Sequence, residues 1–240
     1  MTTDTQAVAI QACRHCGTGA PVDAHFCPKC EKILTLARHG DYFRFFGLPR
    51  KLRIDAADLE QRFRALSRLF HPDYFYNAAP AERVASMERS SYLNDAYRTL
   101  RQPLDRVEYL LKIEKIAPRD RGGAGQVPEE LLEEFFSLSE QLDEVRAARE
   151  SGAPASGLRA RLAQVRAPLA ARRADQERRL DELSREWDAQ VDAGTPAAER
   201  RPTLERLREL ILERTYVDNL VATLEREEAA VAPAHDDTPV

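Results

Sequence analysis

Apolar residues recur at spacings of three and four along most of the chain, which predicts a mainly α-helical protein. One such region covers 41–113, and a second runs from 128 to about 228 with breaks at 151–157 and 192–196. No convincing strand pattern occurs outside a cysteine-rich stretch at 13–30, and there is no internal repeat. The pattern therefore predicts a small N-terminal module followed by two helical regions, the second built from three helices.

Changes in composition set the expected domain boundaries. A Gly- and Pro-containing stretch, APRDRGGAGQ, separates the two helical regions and is typical of a linker. We predict a disordered tail at 1–12, a cysteine module at 13–38, a first helical domain at 39–116, a linker at 117–127, a three-helix bundle at 128–230 and a second disordered tail at 231–240.

The clearest helix of the first domain begins at Asp55, a good N-cap, and carries one apolar stripe. The stripe consists of Leu59, Phe63, Leu66 and Phe70. Pro72 disfavours the α conformation in the residue before it, so the helix should end at His71. Helical spacing resumes with Val84, Met87, Leu93, Ala96, Tyr97 and Leu100. The sequence HPDYFYNAAP is therefore expected to form the tip of an antiparallel helix hairpin.

Composition and charge exclude several classes of protein. Charged residues make up 32% of the chain, as in long exposed helices, and the formal net charge of −4 gives no general affinity for nucleic acid. No apolar run approaches the roughly 20 residues that span a bilayer. The N-terminus lacks the features of a secretory signal or a mitochondrial presequence, so we expect a cytoplasmic protein with reduced cysteines.

The four cysteines have the spacing C-x2-C-x10-C-x2-C, in which each pair fits a tight turn that points both sulfurs at one ion. We predict that Cys13, Cys16, Cys27 and Cys30 bind a structural zinc ion. The module is too short to build a core, so the metal would supply its folding energy. Four unrelated buried cysteines, a redox role and an iron–sulfur cluster remain the alternatives.

The His-Pro-Asp tip invites a catalytic interpretation, but no nucleophile, Gly-rich loop or second acid lies near it in the sequence. A rigid recognition tip is the preferred interpretation, because proline fixes its own φ and would present His71 and Asp73 in a stiff geometry. His71 could instead be a cation that meets the helix dipole. Arg62, Arg64 and Arg68, on the helix before the tip, could likewise form an ordinary solvated face.

The segment around the tip resembles a J-domain. It has a basic helix, then His-Pro-Asp, then a helix that ends in the pattern NDAYRTL at 94–100. The flanking stretches DYFRFFGLP (41–49) and RQPLDRVEYLL (101–111) resemble the HscB-type co-chaperones of iron–sulfur cluster assembly. The resemblance covers about 41–228 and is strongest over 41–111. Some members of that family also carry an N-terminal tetracysteine module.

The resemblance implies that the first helical domain is a J-domain that stimulates ATP hydrolysis by a DnaK/HscA-type chaperone. Its chaperone-binding residues would be His71, Pro72, Asp73, Arg62, Arg64 and Arg68. Asp73 would pair with an arginine of the chaperone, and the arginines would steer the domain toward an acidic surface. The position after the motif is often lysine in J-domains and is Tyr74 here, so part of the usual positive charge is missing.

The resemblance also implies that the C-terminal bundle binds the iron–sulfur scaffold protein. The residues that match the family's site are Leu132, Phe136, Glu140, Glu144 and, on the last helix, Tyr216. Glu133 and Ser137 depart from the family pattern, which leaves the exact contact set open. Leu132 and Phe136 could also be core residues, because helical bundles bury three to four positions in every two turns.

We therefore expect a co-chaperone that is not itself an enzyme, with a structural zinc ion, a DnaK/HscA-type chaperone and an iron–sulfur scaffold as its partners, and no nucleic acid or membrane partner. The expected fold is mainly α, with a small tetracysteine zinc module, a helical J-domain and a C-terminal three-helix bundle. A general J-domain co-chaperone for unfolded clients is the first alternative. A zinc-dependent regulatory or binding protein is the second.

Overall fold

The computed structural model describes residues 9–36, 40–116 and 129–231, and their side chains except those of 129–131. The linker predicted at 117–127 and most of the two predicted tails lie outside these residues. Contacts divide the chain into two compact units. The first contains the residues up to Lys115 together with Asp188–Gly194, and the second contains Ile116–Trp187 together with the residues from Thr195 onward. Within the described ranges, no helix is long and apolar enough to cross a membrane.

The N-terminal module contains a two-stranded antiparallel hairpin, in which β1 (Ile10–Ala12) pairs with β2 (Gly19–Pro21). Its small core consists of Cys13, Ala20, Cys27 and Leu34. Residues 10–12 therefore belong to the folded module, and their assignment to a disordered tail was wrong. The strand escapes sequence reasoning because backbone hydrogen bonds hold it while its side chains stay largely exposed, which leaves no apolar periodicity.

Four helices form the first helical region: α1 (Tyr42–Phe45), α2 (Ala56–Phe70), α3 (Pro80–Arg101) and α4 (Pro103–Ile113). The Asp55 side chain caps α2 by accepting hydrogen bonds from the amides of Ala57 and Asp58, as its sequence position predicts. The helix ends at Phe70, and residues Pro72–Phe75 form a single 3-10 turn before α3 begins. The predicted helix hairpin with His-Pro-Asp at its tip is confirmed.

The buried face of α3 differs from the expected stripe. Val84 and Met87 are exposed, and Ala85, Ser86 and Arg89 are buried in their place. The face is rotated because Ser86 and Arg89 find hydrogen-bond partners inside the first unit. Polar side chains with such partners can be buried at little net cost, which a count of apolar residues does not register.

Three helices form the C-terminal bundle: α5 (Glu129–Glu150), α6 (Ala155–Asp192) and α7 (Ala197–Val231). The buried residues described on α5 are Phe135, Leu138, Leu142 and Val145. They pack with Leu158, Leu162, Val165, Leu169, Val217 and Leu224 from the other two helices. Helix α6 begins at Ala155 and runs through Pro168.

Candidate functional site

The predicted metal ligands converge on one point. The four Sγ atoms of Cys13, Cys16, Cys27 and Cys30 all lie within 4.8 Å of one another. The Cys13–Cys30 and Cys16–Cys27 sulfur pairs are separated by 3.7 and 3.6 Å. A disulfide would need about 2.05 Å. Ligands at the usual zinc–sulfur bond length in a tetrahedron are about 3.8 Å apart. The cluster therefore fits a tetrahedral metal ion bound by four thiolates.

Each C-x2-C pair is closed by the same backbone turn. The amide of Gly17 donates to the carbonyl of Cys13 at 2.8 Å, and the amide of Glu31 donates to the carbonyl of Cys27 at 2.9 Å. Both residues after the second cysteine have positive φ, +73° at Gly17 and +58° at Glu31. In the first turn the left-handed position falls on a glycine, whereas in the second it falls on Glu31.

Because the left-handed conformation strains residues that have a Cβ atom, Glu31→Gly should stabilise the module by about 1 kcal/mol. The measurement is the denaturant midpoint of the metal-loaded full chain. Lys29→Gly is the matched control, since Lys29 is not among the residues with positive φ and glycine there only adds unfolded-state entropy. A midpoint that rises equally in both variants would show that the strain at Glu31 is not the cause.

The pKa values of Cys16 and Cys30 are shifted in opposite directions. A hydrogen bond with the Thr18 side chain lowers the pKa of Cys16 to about 6. The backbone amide of Lys32 favours the thiolate of Cys30, yet burial and the three neighbouring sulfurs raise the pKa of Cys30 to about 12. Four thiolates at this spacing repel one another, so the fully ionised cluster needs a bound cation, and binding it would release protons.

His25 does not face the sulfurs. Its Nδ1 atom lies 2.8 Å from a guanidinium nitrogen of Arg89, a side chain that only donates, so Nδ1 must accept and the ring is neutral. Burial, and secondarily the charge of Arg89, lowers the pKa of His25 to about 4. Sequence reasoning missed Arg89 altogether. Nothing in the sequence around Arg89 distinguishes it from the solvent-exposed basic residues of the same helix.

The tip of the hairpin displays the predicted His-Pro-Asp motif. The Asp73 side chain is 86% exposed and that of His71 is 51% exposed. His71 Nδ1 accepts a hydrogen bond from the Asp73 amide at 3.3 Å and lies 3.5 Å from the Asp73 carboxylate. Behind the tip, the hydroxyls of Ser86 and Ser90 both donate to the carbonyl of Phe70 at 2.7 and 2.8 Å. A stiff turn thus presents two polar side chains to solvent.

The three candidate arginines of α2 differ in their engagement. Arg62 bonds the Asp58 carboxylate at 2.9 Å and the Phe46 carbonyl at 3.1 Å, so it fastens α2 to α1. Arg64 pairs with Glu60 one turn earlier. Arg68 is exposed and makes no hydrogen bond or ion pair with any part of the chain that the structure describes. Of the three, Arg68 is the charge most available to a partner.

Tyr74 occupies the position where the resemblance leads one to expect lysine. Its side chain is exposed and meets the His71 ring edge-on, with the ring centroids 6.0 Å apart. Tyr76 is exposed as well, whereas Phe75 is half-buried. The surface beside the motif is therefore aromatic instead of basic, and contact there would involve ring faces more than charge.

Helix α5 presents the residues expected to bind a scaffold. Phe136 is 72% exposed, and Glu140 and Glu144, one and two turns further along, are partly or fully exposed too. Leu132 is half-buried and packs against the bundle core, as does Tyr216, whose ring stacks on Phe135 at 5.6 Å. Phe136 is thus not a core residue, whereas Leu132 and Tyr216 take part in the packing beneath it.

The described residues combine an N-terminal tetracysteine module, a helix hairpin with His-Pro-Asp at its tip and a C-terminal three-helix bundle, an arrangement similar to that of HscB-type J-domain co-chaperones. No family model matches the chain. Curated relatives and solved structures do match it, among them HscB co-chaperones.

The chain is 36% identical over 122 residues to the human iron–sulfur cluster co-chaperone protein HscB, an alignment that covers 51% of this chain and 52% of that protein. It is 37% identical over 110 residues to a co-chaperone protein HscB homolog of Vibrio cholerae, covering 46% of this chain and 64% of that protein. The chain thus matches between half and two thirds of the length of these relatives.

The crystal structure of human co-chaperone protein HscB superposes with a TM-score of 0.67 at 26% identity, covering 92% of this chain and all of that one. Chaperone HscB from Vibrio cholerae gives 0.53 at 28% identity, covering 80% of this chain and all of that one. The predicted resemblance to HscB-type J-domain co-chaperones is confirmed in sequence and in fold.

Proposed function

We propose that this protein recruits a DnaK/HscA-type chaperone through its His-Pro-Asp tip, stimulates the ATPase of that chaperone, and delivers the iron–sulfur cluster scaffold protein through its C-terminal bundle. The observation that carries the proposal is the exposed, internally braced tip of His71 and Asp73 in a chain that resembles HscB-type co-chaperones over both helical regions. In this role the protein assists catalysis in its partner and performs none itself.

The chaperone side of the proposal rests on charge and stiffness. An exposed carboxylate at Asp73 suits an arginine of the partner, and a charge-assisted bond of this kind is about twice as strong as a neutral one. Arg68 would add long-range attraction to an acidic chaperone surface, while Arg62 mainly holds α2 in place. Because His71 already braces the turn, little conformational entropy is lost when the tip binds.

The scaffold side of the proposal rests on Phe136. An aromatic ring left 72% exposed on a packed helix costs solubility and is typical of a binding surface. Glu140 and Glu144 border it on the same face and would favour a basic patch on the scaffold. One chain that binds both partners raises their effective concentration for each other, which is how such an adaptor promotes transfer.

We also propose that the metal is zinc and that its role is structural. Four sulfurs already fill a tetrahedral shell, so no position is left for a water or a substrate. Cys13, Cys16, Cys27 and Cys30 would hold the ion, which would supply the folding energy of the module. A cytoplasmic location stays a prediction.

The experiment that tests the scaffold half compares two adjacent residues of α5. Phe136→Ala should weaken binding of the intact protein to the iron–sulfur scaffold about 30-fold, as expected for an aromatic anchor, and leave its unfolding midpoint nearly unchanged. Phe135→Ala, the matched control, removes a buried ring and should cost about 3–5 kcal/mol of stability. Isothermal titration and denaturant unfolding measure the two effects.

A protein that binds unfolded peptides but not the scaffold would contradict this proposal and favour a general co-chaperone for unfolded clients. Equal scaffold affinity of the parent and the Phe136→Ala variant would place the scaffold on another face of the bundle.

A further inference from the structure

We propose that the tetracysteine module positions the chaperone-binding tip and that Arg89 is the positioning residue through which it does so. The inference rests on the proposed role of the tip and adds to it a dependence on the metal. Arg89 lies on α3, outside both the cysteine module and the His-Pro-Asp motif, and is only 2% exposed.

Arg89 forms hydrogen bonds with four residues of the cysteine module. Its Nε donates to the carbonyl of Leu34 at 2.7 Å, and its terminal nitrogens reach the carbonyls of Ala24 at 3.2 Å and Thr35 at 3.3 Å and the Nδ1 atom of His25 at 2.8 Å. These acceptors flank the second cysteine pair on both sides. Their arrangement therefore depends on the loop that the metal closes.

The guanidinium of Arg89 also lies over two rings, those of Phe45 and Phe70, and the second leads to the tip. Its guanidinium lies 5.6 Å from the centroid of the Phe70 ring, which the ring of His25 also meets edge-on at 4.9 Å. Phe70 is the last residue of α2 and precedes His71 directly. The module ring of Phe26 approaches Phe70 as well, at 6.2 Å. The rings of His25 and Phe26 in the cysteine module therefore contact Phe70 and help to fix its position. Because Phe70 directly precedes His71, they also help to fix the start of the motif.

The hydrogen bonds of Arg89 compensate for its burial. Burial lowers the pKa of Arg89 to about 10, because the guanidinium is removed from water. An apolar side chain of similar size would fill the same space but would leave three carbonyls and the Nδ1 atom of His25 without their donor. The guanidinium thus holds three carbonyls of the cysteine module against the rings of Phe45 and Phe70.

Without the metal, the two cysteine turns lose their common anchor, so the carbonyls of Ala24, Leu34 and Thr35 no longer hold a fixed array. Arg89 then loses hydrogen-bond acceptors, and the rings of His25 and Phe26 no longer pack against Phe70 in a fixed position. We infer that the His71-Pro72-Asp73 turn becomes less constrained, and that stimulation of the chaperone falls although every residue of the motif is intact.

The test uses the full chain in three forms: loaded with Zn²⁺, stripped with a chelator, and carrying Arg89→Met. The first readout is the NMR signals of the Asp73 amide and the His71 ring. Stripping the metal should shift and broaden them in the parent. Arg89→Met should produce similar changes with the metal still bound, and stripping should then change little more. Arg98→Met, an exposed arginine on the same helix, is the matched control and should leave them unchanged.

The second readout is the stimulation of a DnaK-type chaperone, which should fall about tenfold on stripping, equivalent to roughly 1.4 kcal/mol. Tip signals that do not respond to metal removal would overturn the inference, and this comparison decides the matter alone if Arg89→Met does not fold. If an Asp73→Ala variant stimulates as well as the parent, the proposed function fails instead. Stimulation that needs Asp73 but not the metal contradicts only the positioning role.

Discussion

Asp73→Ala is expected to abolish stimulation of the chaperone ATPase without altering the stability of the protein. The Asp73 side chain is 86% exposed, and the bond that braces the tip uses its backbone amide, which alanine retains. What is lost is a carboxylate for the partner. Removing one member of a charge pair in an interface costs about 2–5 kcal/mol, or roughly 30-fold and more in affinity.

Single-turnover ATP hydrolysis by the chaperone, at increasing concentrations of this protein, measures the effect. Asp105→Ala is the matched control, because Asp105 is another exposed acid of the same domain, at the start of α4. Asp73→Asn separates charge from shape and should also fail. Normal stimulation by Asp73→Ala would show that the tip is not the chaperone contact.

The second large effect is expected from Cys27→Ser. The substitution keeps the size of the side chain but removes a soft thiolate from a four-sulfur shell, so bound metal should fall well below the one ion per chain expected of the parent. Structural zinc contributes on the order of 10 kcal/mol to the folding of such peptides. The hairpin of β1 and β2 should therefore lose its protection from amide exchange, while the C-terminal bundle keeps its own.

Metal analysis of the purified chain and hydrogen exchange measure these two outcomes. His15→Ser is the matched control, since His15 lies between two ligands in sequence but is exposed and outside the sulfur cluster. A Cys27→Ser variant that loses the fold of the module and still binds metal fully would refute the four-cysteine site.

Local sequence rules were enough for much of this molecule. The cysteine spacing predicts the sulfur cluster because two short turns fix the geometry of each pair, whatever the rest of the chain does. The end of α2 follows from Pro72 in the same local way. The exposure of Phe136 beside buried Phe135 follows from helical periodicity, once the core-facing stripe of α5 is drawn through Leu138 and Leu142.

The features that sequence reasoning missed depend on contacts between distant segments. Arg89 is buried because carbonyls more than fifty positions away accept its hydrogen bonds, and nothing near it on α3 announces them. The same contacts explain why Val84 and Met87 face solvent. Glu31 was missed for a different reason: its left-handed backbone is set by closure of the second cysteine turn, and glutamate gives no sign of it.

The pairing of Phe135 and Phe136 on α5 has an evolutionary consequence. Successive residues of a helix point about 100° apart, so one ring faces the bundle and the next faces outward. Substitutions at 135 would be selected against in every organism because they impair folding. Substitutions at 136 would be selected against only where they weaken binding to the partner that is present. The outward face can therefore drift together with its partner's surface while the bundle beneath it stays the same.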